Sequence, residues 1–273
     1  MIEPKAISEQ LLFSTVRLST NSGSGTGFFF HFKIDDQNQM PVIVTNKHVV
    51  NNKMEQEVKF SLHISEDNKP TNENINININ AEWIFHPTLD LCCAFTNPLI
   101  SQIKERIQKE IFYIPFTEEL IWDDSRLEEL QAVEEILMVG YPIGLFDKKH
   151  NLPLFRKGVT ASHPSIDFNG EGIAVIDCSC YPGSSGSPIL LYNDNGYRDK
   201  KGTNYIGAQR FIFLGILYGG PIFDAQGNIE ISEIPTQQQI MTRTEIMVNL
   251  GYYIKAKEIF KLKKEVLKVI NKT

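Results

Sequence analysis

Apolar residues along this chain fall into short runs separated by glycine, proline and polar turn residues. The clearest pattern is INININ at residues 75–80, where isoleucine and asparagine alternate strictly. Successive side chains of a strand point to opposite faces, so this period of two predicts a half-buried strand. Many short strands with Gly- and Pro-rich turns predict an all-β sandwich or barrel. Comparable β-type runs occupy residues 14–19, 27–32, 42–45, 58–64, 91–95, 136–139, 172–177, 189–192 and 210–218.

Helical patterns lie mainly at the two ends of the chain. Residues 7–13 predict a short opening helix, and residues 256–270 carry an apolar stripe that predicts a longer, closing amphipathic helix. Residues 116–133 are acidic and weakly periodic, which favours a linker between two β-rich halves. We therefore expect a single domain over residues 1–273, with a β unit at 15–115, a linker at 116–135, a second β unit at 136–254 and a helix at 255–273.

Composition narrows the class of protein without identifying it. Hydrophobic residues make up 42% of the chain and charged residues 22%, which is ordinary for a soluble globular protein. The formal net charge of −6 argues against a nucleic-acid partner, because such partners bind to a clustered basic face. The N-terminus has no basic segment followed by an apolar stretch, and residues 211–223 are too few to span a bilayer, which takes about 20. We expect a cytoplasmic protein with no membrane association.

The four cysteines form two close pairs, Cys92 with Cys93 and Cys178 with Cys180. Neighbouring cysteines in a strand point to opposite faces and rarely bridge each other. Their spacings do not match the C-x2-C pairs of zinc sites. We expect reduced, mostly buried thiols, and neither a metal nor a cofactor.

The stretch YPGSSGSP at residues 181–188 is either a polar turn or a loop that exposes a nucleophilic serine. A serine hydroxyl needs a base, usually histidine, and an acid that orients this base. Every histidine precedes the loop, whereas an α/β-hydrolase places its histidine after the nucleophile. The order His, Asp, Ser stays open, and it is the order of chymotrypsin-type proteases. The histidines are His31, His48, His63, His86, His150 and His163.

Two residues upstream suit the remaining roles. His48 follows the apolar run 42–45 after a Thr-Asn-Lys turn, so a strand would fix its backbone beside a cleft. Asp90 stands directly ahead of the apolar run 91–95, where an acid can be buried beside the imidazole.

Five segments, in order, resemble motifs of the trypsin-like serine proteases, particularly the HtrA-like branch. TNKHVV is similar to the T-x-x-H-V motif of the catalytic histidine, and HPTLDL to the H-P-x-x-D-[LI]-A motif of the catalytic aspartate. DCSCYPGSSGSPI resembles the loop that carries the nucleophile. GSGTGF and VGYPIG resemble two further elements of these domains. The resemblance covers residues 23–188 and implies two perpendicular six-stranded β-barrels with the active site between them.

The resemblance also implies roles for individual residues. His48 would be the general base, Asp90 its orienting acid and Ser185 the nucleophile, with the amides of Gly183 and Ser185 forming the oxyanion hole. The primary specificity pocket would have Ser179 at its base, and an apolar or aromatic substrate side chain is expected there because this base carries no acid. The strand lining that pocket would be Tyr218, Gly219 and Gly220.

The sequence departs from the family pattern at two positions of this loop. Ser184 replaces the aspartate that pairs with a newly cut N-terminus in zymogen-activated relatives, so activation is expected to need no N-terminal cleavage. Ser187 replaces a second glycine. We expect no PDZ-like domain after the closing helix, and we therefore expect a protein partner or self-association to regulate cleavage of protein and peptide substrates.

Other interpretations of these motifs remain. GSGTGF resembles a phosphate loop, but no G-K-[ST] follows and the next residues are β-type, so a nucleotide site is not expected. A protease fold that binds a peptide or partner without turnover is the main alternative to an enzyme. A purely structural scaffold is a third possibility, and it predicts that Ser185→Ala changes no cellular role.

Overall fold

Strands dominate the structure, a computed structural model that describes residues 1–229, 240–247 and 249–271. The all-β prediction is confirmed, with strands gathered into an N-terminal sheet and a C-terminal barrel. Among the described residues, no helix is long and apolar enough to cross a membrane.

The N-terminal half opens with helix α1 (Ile7–Leu11) and forms one nine-stranded sheet. Seven strands lie in the order β5-β4-β1-β2-β3-β7-β6, while β8 pairs with β4 and β9 with β2. The sheet exceeds the six strands expected because two short strands, β8 and β9, pair with β4 and β2, and β5 extends it beyond β4. The strands are β1 (Thr15–Thr20), β2 (Gly23–Lys33), β3 (Gln39–Thr45), β4 (Glu55–Glu66), β5 (Lys69–Glu82), β6 (Ile84–Phe85), β7 (Cys92–Phe95), β8 (Glu110–Phe112) and β9 (Phe116–Thr117).

The INININ repeat lies in β5, paired antiparallel with β4. Ile77 and Ile79 are buried, whereas Asn78 and Asn80 are exposed. The alternation therefore separates a core face from a solvent face, as the period of two predicts. A second helix, α2 (Thr96–Ile107), follows β7 and was not predicted.

The C-terminal half contains a closed six-stranded barrel in the order β10-β11-β12-β19-β16-β13. Two further antiparallel pairs, β14 with β15 and β17 with β18, stand apart from it. The elements are α3 (Asp124–Leu127), β10 (Glu135–Gly140), β11 (Leu154–Thr160), β12 (Ile173–Asp177), β13 (Pro188–Asn193), β14 (Gly196–Arg198), β15 (Asn204–Ile206), β16 (Arg210–Gly219), β17 (Ile222–Ile229), β18 (Ile240–Met247), β19 (Leu250–Lys255) and α4 (Ile259–Ile270).

One hydrophobic cluster joins the two halves and holds the C-terminal helix against them. Phe116 of β9 stacks on Phe213 of β16 at 5.4 Å between ring centroids, and Phe28 of β2 meets Phe213 edge-on. Ile259, Leu262 and Val266 of α4 are fully buried in the same cluster. The closing amphipathic helix is thus confirmed, and it packs beside β6.

His63 gives folding a pH dependence that can be measured. It lies in β4, 3% exposed, with its ring against Phe13 at 4.9 Å. Burial lowers the pKa of His63 to about 4, only partly offset by the backbone of Asn151. A histidine in an unfolded chain has a pKa of about 6.5. As the pH falls from 6.5 to 4, the unfolded state therefore binds a proton that the folded state does not bind. We expect the free energy of unfolding to fall across this window, by about 3 kcal/mol from His63.

Urea unfolding of wild type and His63→Leu at several pH values checks this expectation. The wild type should lose more stability than the variant between pH 7 and pH 4.5, so the difference between their free energies of unfolding should change across this range. Curves that stay parallel would contradict a buried, neutral His63.

Candidate active site

His48 and Asp90 meet at the edge of the N-terminal sheet. His48 begins a 3-10 turn, His48–Val50, shortly after β3 ends, and Asp90 lies between β6 and β7. His48 Nδ1 is 2.5 Å from Asp90 Oδ2, and the His48 backbone N–H donates to Asp90 Oδ1 at 3.2 Å. Asn46 Nδ2 donates to the Asp90 carbonyl at 2.7 Å. A carboxylate on Nδ1 keeps the proton there and leaves Nε2 as the basic nitrogen.

The loop of residues 181–188 is tied to the N-terminal sheet through Thr26 of the GSGTGF segment. The Thr26 backbone N–H donates to the Ser185 carbonyl at 2.9 Å, and its hydroxyl donates to the Gly183 carbonyl at 3.0 Å. Gly186 has φ 85°, and a Cβ there would lie 1.9 Å from the Thr26 carbonyl oxygen. Only glycine fits so close to this carbonyl oxygen. The loop of residues 181–188 and β2 therefore form one hydrogen-bonded unit.

Two backbone N–H groups of this loop are left for a ligand. Among the described residues, neither Gly183 N–H nor Ser185 N–H has a hydrogen-bond partner. The Pro182 carbonyl accepts from Ile143 N–H at 2.5 Å. In a trans peptide the C=O and N–H point in opposite directions, so Gly183 N–H points away from Ile143. Gly183 has φ 87°, a left-handed conformation that glycine adopts without strain.

A cleft of about 490 Å³ contains these groups. Its lining includes His48, Gly183 and Ser185 together with Val49 and Ile143. Within the described residues, no hydrogen bond joins Ser185 Oγ to His48. Such bonds are often loose in unliganded enzymes and tighten when substrate binds. The cleft is therefore lined by a base, a serine and two residues with free amide donors, and the acid Asp90 contacts the base.

Arg156 of β11 lies against the loop of residues 181–188, and the sequence analysis did not predict its role. Its Nη1 donates to Ser184 Oγ at 2.6 Å and to the Ser179 carbonyl at 3.0 Å. Ser184 is fully buried, and its Oγ also accepts from Tyr181 N–H. Burial lowers the pKa of Arg156, and no ion pair among the described residues includes it. A guanidinium thus holds the loop at Ser184, where relatives have an aspartate.

Arg156→Met is expected to lower activity without lowering stability. A hydrogen bond from a charged group contributes about 1.5–3 kcal/mol, so loss of the loop anchor should slow acylation of Ser185 by roughly 10- to 100-fold. Removing a buried charge that has no carboxylate partner should leave the melting temperature unchanged or raise it. Acylation rates and melting curves of Arg156→Met and Arg156→Lys measure both effects. An unchanged acylation rate in Arg156→Met would show that the loop does not depend on this anchor.

The residues predicted for the specificity pocket lie just before the loop and at the end of β16, and their role stays a prediction. Ser179 is half-buried, and its carbonyl faces Arg156. Tyr218 and Gly219 end β16, and Gly219 pairs with Tyr252 of β19. A Cβ on Gly219 would meet no atom within 4 Å, so open space lies beside this backbone. Gly220 follows directly and leaves room for the Leu250 carbonyl.

Other sequence expectations around the loop can be compared with the structure. Ser187 is fully buried, and a Cβ on Gly140 would lie 2.1 Å from its hydroxyl, so Gly140 makes room for the additional side chain.

The four cysteines are free and buried, as expected. Burial raises the pKa of Cys180 to about 12. No group of three or more His, Cys, Asp or Glu side chains in the described part of the chain could hold a metal ion.

Comparison with known proteins identifies the family. A model described as the trypsin-like peptidase domain matches residues 25–197. The chain belongs to the trypsin-like peptidase domain family. The match includes His48, Asp90 and Ser185, whereas Tyr218 to Gly220 lie beyond it. A search of curated proteins found no match for this trypsin-like peptidase domain.

Several solved structures share a general likeness with this trypsin-like domain. The inactive form of a serine-to-alanine mutant of Rv3671c from M. tuberculosis H37Rv is 14% identical, with 97% of this chain and 98% of that chain covered and a TM-score of 0.47. The thermostable serine protease AL20 from an extremophilic microorganism is 13% identical, with 94% and 97% covered and a TM-score of 0.44. A scabies mite inactivated protease paralogue is 11% identical, with 95% and 96% covered and a TM-score of 0.46. At these identities and TM-scores the likeness says nothing about activity.

Proposed function

We propose that this protein is a serine endopeptidase that acts through His48, Asp90 and Ser185. The observation that carries the proposal is the 2.5 Å contact of Asp90 with His48, which lines a cleft together with Ser185 and the unpartnered amides of Gly183 and Ser185. This set matches the three requirements of acyl transfer, namely a nucleophile, an oriented base and donors for an oxyanion.

The mechanism follows from these positions. His48 Nε2 removes the proton of Ser185 Oγ as this oxygen attacks the substrate carbonyl carbon. The N–H groups of Gly183 and Ser185 stabilise the oxyanion, and such a donor contributes about 3 kcal/mol. Asp90 stabilises the imidazolium, which then protonates the leaving amine as the peptide bond breaks. Water, deprotonated by His48, hydrolyses the acyl-enzyme and restores Ser185.

The proposal extends to how the enzyme is set into its active form. We place it in the HtrA-like branch and expect no N-terminal cleavage, because Ser184 is already held by Arg156. Unpaired, buried cysteines suit a reducing compartment such as the cytoplasm. Preference for an apolar or aromatic side chain in the pocket at Ser179, and regulation by a protein partner or self-association, remain predictions.

A peptide-binding module without turnover is the second candidate. It is favoured by the absence of a hydrogen bond between Ser185 Oγ and His48 among the described contacts. In that case the cleft would hold an extended peptide without cleaving it.

Proteome-wide mapping of new peptide ends tests the two candidates against each other. Wild type and Ser185→Ala are incubated with an unfolded protein mixture, alone and with candidate partners. An endopeptidase produces new ends only with wild type, and their flanking residues define its specificity. Equal peptide capture by both proteins, with no new ends, would support the binding module and contradict the proposal.

A further inference from the structure

A second histidine, His86, organises the turn that carries the candidate catalytic acid. Its side chain is fully buried. Its Nδ1 accepts from the backbone N–H groups of Thr88 at 3.2 Å and Leu89 at 2.9 Å. The backbone N–H of His86 donates to the Leu91 carbonyl at 2.9 Å, and this bond closes the turn around Asp90. The imidazole therefore fills the turn from within and satisfies two of its backbone donors.

These contacts fix the protonation state of His86. A nitrogen that accepts two hydrogen bonds carries no proton, so the ring is neutral with its proton on Nε2. Protonation of Nδ1 would abolish both hydrogen bonds, because the new ring N–H group would then face the backbone N–H groups of Thr88 and Leu89. The turn can keep this shape only while His86 is neutral.

Glu258 faces the other nitrogen of the same ring. Its Oε2 lies 3.3 Å from His86 Nε2, in an electrostatic contact rather than a well-aligned hydrogen bond. The Glu258 side chain is 4% exposed and bound by Lys261 Nζ at 2.7 Å. A Cβ on Gly172, which has φ 69° and directly precedes β12, would lie 2.8 Å from Glu258 Oε1, so a glycine makes room for this carboxylate. Glu258 directly precedes α4, whose apolar face is anchored in the core shared by both halves.

We propose that His86 and Glu258 are positioning residues for catalysis: Glu258, fixed at the start of α4, orients the neutral His86 imidazole, and this imidazole shapes the turn that presents Asp90 to His48. The inference rests on the proposed function and adds to it a mechanical link from the C-terminal helix to the catalytic acid. Neither Glu258 nor His86 lines the cleft, so both act through the turn that holds Asp90.

Because of this link, activity requires that His86 is neutral. Burial lowers the pKa of His86, Glu258 raises it in part, and Lys261 and Lys47 add to the lowering. Glu258 and Lys261 face the ring from the start of α4, and Lys47 faces it from the position before the 3-10 turn. His86 therefore stays neutral at neutral pH, and acidification below its lowered pKa disrupts the turn independently of His48.

Three substitutions separate positioning from simple filling of space. In His86→Asn the side-chain oxygen can replace Nδ1 as the acceptor for Thr88 and Leu89. In His86→Gln the amide reaches towards Glu258 but supplies no acceptor to the turn. The control is His163→Asn, because His163 Nδ1 also accepts a backbone N–H, from Ser165 at 3.2 Å, in a turn distant in sequence from Asp90.

Two readouts are measured in the full chain. The first is the rate of Ser185 modification by a fluorophosphonate from pH 4.5 to 8. The second is the low-field NMR signal of the His48 Nδ1 proton in the Ser185→Ala background, which reports the contact with Asp90 without turnover. We expect His86→Gln to slow modification by roughly 10- to 100-fold and to lose the low-field signal, since a small misplacement of a catalytic group costs up to about 10²-fold. His86→Asn should stay within about fivefold of wild type at pH 7.5, and His163→Asn should match wild type.

The pH dependence provides the second criterion. On acidification the wild-type rate should fall more steeply than the rate of His86→Asn, because only the wild type also loses the turn through protonation of His86. Equal rates and signals in His86→Gln and wild type would overturn the inference, as would equal loss in His86→Asn and His86→Gln. If wild type is not modified but the NMR signal shows the expected pattern, the proposed function fails while the positioning link stands.

Discussion

Ser185→Ala and His48→Ala are each expected to lower kcat by about 10⁶-fold on any peptide that the wild type cleaves. Alanine at position 185 removes the oxygen that forms the acyl-enzyme. Alanine at position 48 leaves that oxygen protonated and therefore weakly nucleophilic. Because the two residues act as one unit, the double variant should be no worse than either single variant.

Steady-state hydrolysis of a peptide chosen from the mapped cleavage sites measures this effect. His150→Ala is the matched control, because His150 Nδ1 lies 2.7 Å from Asp147 Oδ2 in a similar pair outside the cleft. Its activity should equal that of wild type. Losses that add up in the double variant would contradict a shared role for Ser185 and His48.

Asp90→Asn is expected to lower kcat by about 10⁴-fold while KM changes little. The carboxylate holds His48 through both the ring Nδ1 and the backbone N–H. An amide in its place can present an N–H₂ group to the ring, which favours the tautomer with the proton on Nε2. His48 then has no free lone pair towards Ser185, and the imidazolium loses its counter-charge.

The control for Asp90→Asn is Asp147→Asn, which changes the equivalent exposed pair with His150. A rise in KM with unchanged kcat in Asp90→Asn would mean that Asp90 binds substrate instead of orienting His48. Retention of the folded state is checked by the melting temperature of each variant.

Local sequence predicted those parts of the molecule in which neighbouring residues determine structure. The strict alternation at residues 75–80 indicated one buried face, and Ile77 and Ile79 lie there. His48 and Asp90 could be paired because each stands at the border of an apolar run, next to a motif. The apolar stripe of residues 256–270 predicted α4 for the same reason.

The sequence could not predict features that depend on contacts between distant segments. Helix α2 buries Thr96, Leu99 and Ile103, of which only Leu99 and Ile103 are apolar, so its periodicity is weak. The nine-stranded sheet depends on where β8 and β9 pair, which no local pattern encodes. Arg156 had no motif around it, and its role depends on Ser184 being folded against it.

His86 shows the same limit within a recognised motif. Nothing nearby in sequence indicates a partner for it. The structure places Glu258 of the C-terminal segment against it. Thr26 is a further case, since GSGTGF was interpreted only as a family motif without a nucleotide site, yet Thr26 holds both Gly183 and Ser185. Residues that position a site are found through tertiary contacts, whereas residues that perform chemistry are found through motifs.

The central claim is that Ser185 is a nucleophile activated by His48. Its most direct test is fluorophosphonate labelling of the purified full chain, followed by mass spectrometry of the modified peptide. The account predicts one phosphonylated residue, Ser185, with Ser184 and Ser187 unmodified and with modification slowed by several orders of magnitude in His48→Ala. Modification of a different serine, or of Ser185 at the same rate in His48→Ala, would contradict it.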